Sequence, residues 1–260
     1  MTTITLPEIA GEQVLSFLLV VSRVGGLFVF APIFSSNLIP RRAKAIAAGA
    51  IAIPITPVVA GGIEVPEAAW DTALMLGSEM LVGLGFAFAI GVLIAAIQMG
   101  AGLLDTIVGF SFAALVDPIT QVRSAVFGRL YAMFAVIVLV VAGGDHVMIT
   151  GLVRSYDVVP IGAMPSFESL GALATDGFAR VFLIGLEVAA PVLIALVLVT
   201  SGLGLVARTV PQANVFILGI PAQILVALAT IAATIPFLAR YVSAELEHSV
   251  LAGLRALGVG

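Results

Sequence analysis

Long apolar runs separated by short polar punctuation set the pattern of this chain. Six stretches, 14–34, 43–59, 72–98, 124–141, 177–206 and 214–237, read as membrane spans. A helix rising 1.5 Å per residue needs about 20 apolar residues to cross a ~30 Å hydrocarbon core. One run does not fit. Between residues 80 and 116 the only charged side chain is Asp105. A single helix over that run would reach roughly 55 Å, and the piece from 106 to 116 is too short for a second crossing. The stretch from Gly109 to Pro118, GFSFAALVDP, then reads as a glycine-led re-entrant break. Irregular backbone at membrane depth is tolerated only where protein or a water-filled cavity surrounds it. The break therefore points to a passage and to something plugging it.

The polar punctuation gives an orientation. Arg41, Arg42 and Lys44 lie between the first two spans and place that loop in the cytoplasm. Glu64, Glu67 and Asp71 then fall on the opposite side, and six crossings return the C-terminus there. The stretch 143–176 reads as the longest loop and divides the chain. A helical hairpin follows, turning near Arg208 and Pro211. Prolines 54, 57, 191, 221 and 236 are expected to interrupt helices. Beyond Pro236, Val242, Leu246, Val250, Leu254 and Leu257 share one helical face, so 238–260 reads as an amphipathic tail bound for an interface or a partner.

Composition agrees with a membrane protein. Hydrophobic residues make up 61% of the 260, charged residues 10%, and the mean hydropathy is +1.23. Soluble domains carry about 25% charged residues, so the expected class is an all-α integral membrane protein. A net charge of −4 offers no basic footprint for nucleic acid. With no cysteine and only His146 and His248, neither thiolate nor histidine-cluster metal sites can be built, and no metal or cofactor is expected. Glu8 and Glu12 with no Lys or Arg near the start argue against a cleaved secretory signal.

Charges inside the apolar runs are the candidates for chemistry or assembly. Arg23 sits mid-span, where a cation must face protein or water; Glu79 and Glu187 are its natural partners. Glu79 opens a row of small residues at four-residue steps, Gly83, Ala87, Gly91 and Ala95. Such a row lets another backbone approach closely, as helices do when they associate in lipid, and it is expected to build an assembly. Pro191 cannot donate to the carbonyl of Glu187, so a kink with a paired carboxylate is expected there, ahead of an ion or proton site.

Enzymatic readings find little support. Gly202 to Ala207 matches GxGxxA but closes a membrane helix, so a dinucleotide site fails on context, and no GxxxxGK[ST] is present. An intramembrane serine protease using Ser111 and His146 lacks an intact GxSG, because Phe112 follows the serine. A secondary transporter would suit broken helices and buried charges but calls for paired interruptions in two halves, which are not evident. No catalytic residue is assigned.

Three motifs in order resemble the FliR family of flagellar export-gate proteins, called SctT in virulence type III secretion. The first is Arg23-Val-Gly-Gly-Leu-Phe with Ala31-Pro32 and Pro40-Arg41. The second is Gly109-Phe-Ser-Phe-Ala followed by Val116-Asp117-Pro118. The third is Pro211-Gln212-Ala-Asn214-Val-Phe-Ile-Leu-Gly219-Ile-Pro221, in a form closer to flagellar than to virulence members. The resemblance covers about residues 14–237. It implies a FliP-like part over 14–175, a FliQ-like hairpin over 176–237, and a plug near 106–118 carried by Gly109, Phe110, Ser111, Phe112, Leu115, Val116, Asp117 and Pro118. It further implies FliP-, FliQ-, FlhB- and FlhA-like partners, unfolded flagellar subunits as cargo, and a place in the bacterial inner membrane at the flagellar basal body. Family members sit with much of the complex raised out of the bilayer plane, at odds with six plain crossings.

Overall fold

The computed structural model describes residues 11–36, 39–59, 65–109, 126–209 and 215–258. Among them are seven helices: α1 (Gly11–Phe30), α2 (Arg41–Val59), α3 (Ala69–Val108), α4 (Val126–Val141), α5 (Gly144–Val158), α6 (Phe167–Thr209) and α7 (Val215–Gly258). Five of these, α1, α2, α3, α6 and α7, are long and apolar enough to cross a membrane. The pair α4 and α5 makes a sixth candidate if taken as one span. The chain is an all-α, membrane-embedded protein.

Two compact units share these helices. The first contains α1, α2, α3 up to Gly91, α5 from Asp145 with the start of α6 to Thr175, and the end of α7 from His248. The second contains α3 from Val92, α4, α6 from Asp176 and α7 to Glu247. The boundaries between the units, at 91/92, 144/145, 175/176 and 247/248, fall within or beside helices.

In the first unit α1 and α3 run parallel in backbone contact. Leu15, Leu19, Val20, Val24 and Leu27, at helical spacing, form the buried stripe of α1. A Cβ on Gly26 would stand 2.7 to 2.8 Å from the backbone of Leu84, Gly83 and Met80, and one on Gly83 would overlap the carbonyl oxygen of Arg23. Only glycine permits that approach. Pro32 follows the end of α1, and Ile33 takes a left-handed conformation (φ 37°) as the chain turns. Lys44 then donates to the carbonyl of Ser35 at 2.9 Å. Helix α2 buries Ala48, Ala52 and Ile55, one face at i, i+4, i+7, and leaves Ile46, Ile53 and Val58 exposed.

Several expectations are corrected. The stretch 143–176 is not a loop: α5 spans Gly144–Val158. Its polar residues Asp145, His146, Arg154 and Asp157 are exposed, while Met148, Leu152 and Tyr156 are buried at i, i+4, i+8. Such an amphipathic helix breaks a hydropathy run without breaking the helix. Residues 106–108 belong to α3 rather than to a re-entrant piece, so α3 continues unbroken for 40 residues, about 60 Å, to Gly109 (φ +95°). The prolines at 54, 57, 191, 221 and 236 lie inside continuous helices. A single missing donor is tolerated in an apolar helix that neighbours support.

The amphipathic tail is the end of α7, and its apolar face is covered by its own chain. Val242, Leu246, Val250, Leu254 and Leu257 are all buried. In the first unit, Gly253 comes so close to Ala89 and Phe86 that an added Cβ would stand 3.0 Å from the Ala89 Cβ. Val250 and Phe86 flank Gly151 in the same way, and Leu257 and Leu170 flank Gly85. The face expected to meet an interface or a partner is therefore occupied.

Candidate functional site

The first unit is organised around one buried cation. Arg23 and Glu79 both have fully buried side chains, and the Arg23 Nε–H donates to Glu79 Oε2 at 2.6 Å. The guanidinium also donates through Nη1 to Ser155 Oγ at 3.1 Å and through Nη2 to the Val159 carbonyl at 3.0 Å. Its carbon lies 3.8 Å from the centre of the Tyr156 ring, a cation–π contact. The second Glu79 oxygen accepts from the backbone N–H of Gly162 at 2.7 Å. A buried ion pair stands only where further hydrogen bonds satisfy both ions, and this one has them. Three helices and the turn after α5 meet at these two side chains. The hydroxyl of Ser155 and the carbonyl of Val159 carry no sequence signal for this role, since α5 itself is hidden from the hydropathy pattern.

The small-residue row is used within the chain along part of its length. Gly83 and Ala87 are buried, and a Cβ on Gly91 would stand 3.1 Å from the Phe30 carbonyl. Ala95 is exposed. A second glycine crossing, which periodicity did not reveal, joins α3 and α6 in the second unit. A Cβ on Gly100 would overlap the carbonyl oxygen of Gly185, and one on Gly185 would stand 2.7 Å from the Ala96 carbonyl. Lone glycines with no repeat leave no periodic trace.

Asp105, the one charge in its apolar run, links the helices on either side of residues 110–125. Its side chain is buried, and its two oxygens accept from the N–H groups of Phe127 at 2.9 Å and Gly128 at 3.0 Å. These amides lie in the first turn of α4, where helical N–H groups have no partner within the helix. A carboxylate there also meets the positive end of the helix dipole. The plug residues Phe110, Ser111, Phe112, Leu115, Val116, Asp117 and Pro118 lie outside the described residues, as do Pro211, Gln212 and Asn214. His146, the other half of the protease pairing, is exposed on the first turn of α5.

Polar rungs tie α6 to α7 in the second unit. Arg180 pairs with Glu245, Tyr241 donates to Glu187 at 2.6 Å, and Gln223 donates to Thr200 at 3.0 Å. The pairings run in opposite directions along the two helices, as an antiparallel hairpin requires. Glu187 thus meets a tyrosine, and Glu79 alone of the two expected carboxylates meets Arg23. Of the remaining motif residues, Pro32 and Gly219 are buried, and a Cβ on Gly219 would contact Leu203 at 3.4 Å. Pro40, Arg41 and Pro221 are exposed; the Pro40 carbonyl accepts the first helical hydrogen bond of α2, from Lys44 at 3.1 Å. No group of three or more metal-ligating side chains gathers among the described residues.

Membrane-length helices, crossings made by glycine and buried charges satisfied within the protein define an all-helical membrane protein built for close helix packing. The chain belongs to the family described as bacterial export proteins, family 1, which matches residues 14–249. It is similar to the flagellar biosynthetic protein FliR of Bacillus subtilis, 31% identical over 216 residues, covering 81% of this chain and 82% of that protein. It is similar also to FliR of Escherichia coli, 28% identical over 238 residues, covering 90% and 91%. A more distant relative is the secretion system apparatus protein SsaT of Salmonella typhimurium, 24% identical over 165 residues and 63% of each chain.

Proposed function

We propose that this protein is a core component of the flagellar type III export gate, acting with FliP- and FliQ-like membrane proteins to pass unfolded flagellar subunits. The observation that carries this reading is similarity over nearly the whole chain to proteins named for flagellar biosynthesis. The FliR proteins of Bacillus subtilis and Escherichia coli match at 31% and 28% identity, above the 24% of the secretion apparatus protein SsaT, which favours flagellar over virulence cargo. FlhB- and FlhA-like export proteins complete the assembly in this reading, in the inner membrane at the flagellar basal body. The role is a conduit and not an enzyme.

The chemistry of the gate follows from sequence. A pore for unfolded chains must hold back ions between passages, and an apolar constriction does so by dewetting. Phe110, Phe112, Leu115 and Val116 supply apolar surface for it, with Gly109 and Pro118 at the ends. Flagellar subunits secreted by cells lacking this gene, and by the same cells complemented with it, test the reading. Export lost in the deletion and restored by the wild-type gene is the expected result. Normal motility and export without the gene would overturn it.

A further inference from the structure

Glu187 is a carboxylate that the second unit leaves facing outward within an apolar run. No other residue of α6 between Val181 and Ala207 is charged. Leu183, Leu186, Ile194 and Leu198 around it are exposed as well. Its hydrogen bond comes from a neutral group, the Tyr241 hydroxyl. Of the cations near it on the hairpin, Arg180, about two turns away on α6, is taken by Glu245, and Arg240, beside Tyr241 on α7, is exposed and donates through Nε to the Pro236 carbonyl at 3.4 Å. Among the described residues no cation pairs with Glu187. Pro191, one turn on, has no N–H to give the Glu187 carbonyl, so two oxygen acceptors of one residue sit on the same stretch of helix.

We propose that this patch docks an apolar helix of a partner membrane protein that carries an Arg or Lys at the depth of Glu187. An unbroken Leu and Ile stripe would suit lipid tails as well as a helix. The carboxylate decides between them, because acyl chains offer it no donor and an unpaired charge at that depth is costly. A cationic head group meets the charge and can reach the freed carbonyl, and guanidinium is the better fit because its donors fork towards two acceptors. The surrounding apolar residues then pack against the partner helix. This inference rests on the export-gate reading, which supplies a partner within the membrane.

Three variants of the full chain, purified with its assembly from host membranes, test it: Glu187→Gln, Glu187→Asp and Tyr241→Phe. The readout is assembled complex per amount of chain on native gels. Glu187→Gln keeps the shape and the acceptor for Tyr241 but removes the charge, and should lower assembly by roughly tenfold. Glu187→Asp keeps the charge and should assemble better than the Gln variant, and Tyr241→Phe should assemble nearly as wild type. Wild-type assembly in Glu187→Gln would overturn the docking site, since the acid would then serve as a neutral, lipid-facing group. Assembly in the Gln variant equal to or above that in the Asp variant, or a loss in Tyr241→Phe matching that in Gln, would also overturn it by reducing Glu187 to a brace within the hairpin. A wild-type chain that migrates alone would instead overturn the export-gate reading itself.

Discussion

Arg23 and Glu79 meet at 2.6 Å with neither side chain exposed, and every further bond they make leads to α5 or the turn after it. The pair holds together segments 56 and more than 130 residues apart in sequence. Removing one partner leaves the other as an uncompensated buried charge, a loss of about 3–5 kcal/mol. Arg23→Met should therefore sharply lower the thermal stability of the detergent-solubilised chain. The double variant Arg23→Met, Glu79→Gln should recover part of the loss, because no lone charge remains. A single variant as stable as wild type would remove this pair from the centre of the fold.

The glycine crossings give a second prediction with its own control. A methyl group on Gly83 would overlap the Arg23 carbonyl, and one on Gly100 would overlap that of Gly185. Gly83→Ala and Gly100→Ala should each destabilise the chain, by 1–3 kcal/mol as overpacking typically does. Gly102, on the same helix, has nothing within 4 Å of its Cβ position. Gly102→Ala should be neutral or gain up to about 1 kcal/mol from helix propensity. Thermal unfolding of the three variants side by side reads the ordering. Equal effects at all three positions would mean that close approach is not what these glycines supply.

How much of this was legible in the sequence varied with the kind of signal. Glu79 and Glu187 could both be offered to Arg23 in advance because charges within apolar helices are few and need one another, but nothing in the sequence chose between them, and only Glu79 meets it. The amphipathic face of 242–257 was equally legible, but its occupant was not: periodicity marks a face that must be covered and is silent on what covers it. Helix α5 was missed because Asp145, Arg154 and Asp157 interrupt hydropathy while keeping helical spacing. The reach of Asp105 to α4 was missed because its partners are backbone amides, which every residue but proline possesses.

The end of α7 offers a third prediction. Leu257 is buried and lies against the position of Gly85, whereas Leu251 on the same helix is exposed. Leu257→Ala should cost about 2 kcal/mol or more through lost packing. Leu251→Ala should cost far less in stability. Thermal unfolding of the two purified variants checks this. Equal losses would show that the tail is not packed as described.

The last prediction concerns Asp105. Its two oxygens each take one amide of the first turn of α4, so the side chain acts as a helix cap supplied from 22 residues earlier. Capping side chains contribute about 0.5–2 kcal/mol, and a negative charge at a helix N-terminus adds to this most when partly buried. Asp105→Asn keeps one oxygen acceptor and loses the charge, while Asp105→Ala loses both. Hydrogen exchange at the Phe127 and Gly128 amides should therefore quicken in the order wild type, Asn, Ala. Exchange in the middle of α4, around Ala135, should change less, because a lost cap frays the first turn before the helix. The export-gate reading proposed above gives this order a functional counterpart. Residues 110–125 are joined to the described chain by α3 on one side and α4 on the other, and Asp105 holds those two helix ends together. Ion leakage through the assembled complex should then rise in the same order, normalised to the amount of complex. Exchange at Phe127 and Gly128 unchanged in Asp105→Ala would show that the cap is dispensable. Faster exchange with unchanged leakage would separate the local cap from any role in the gate.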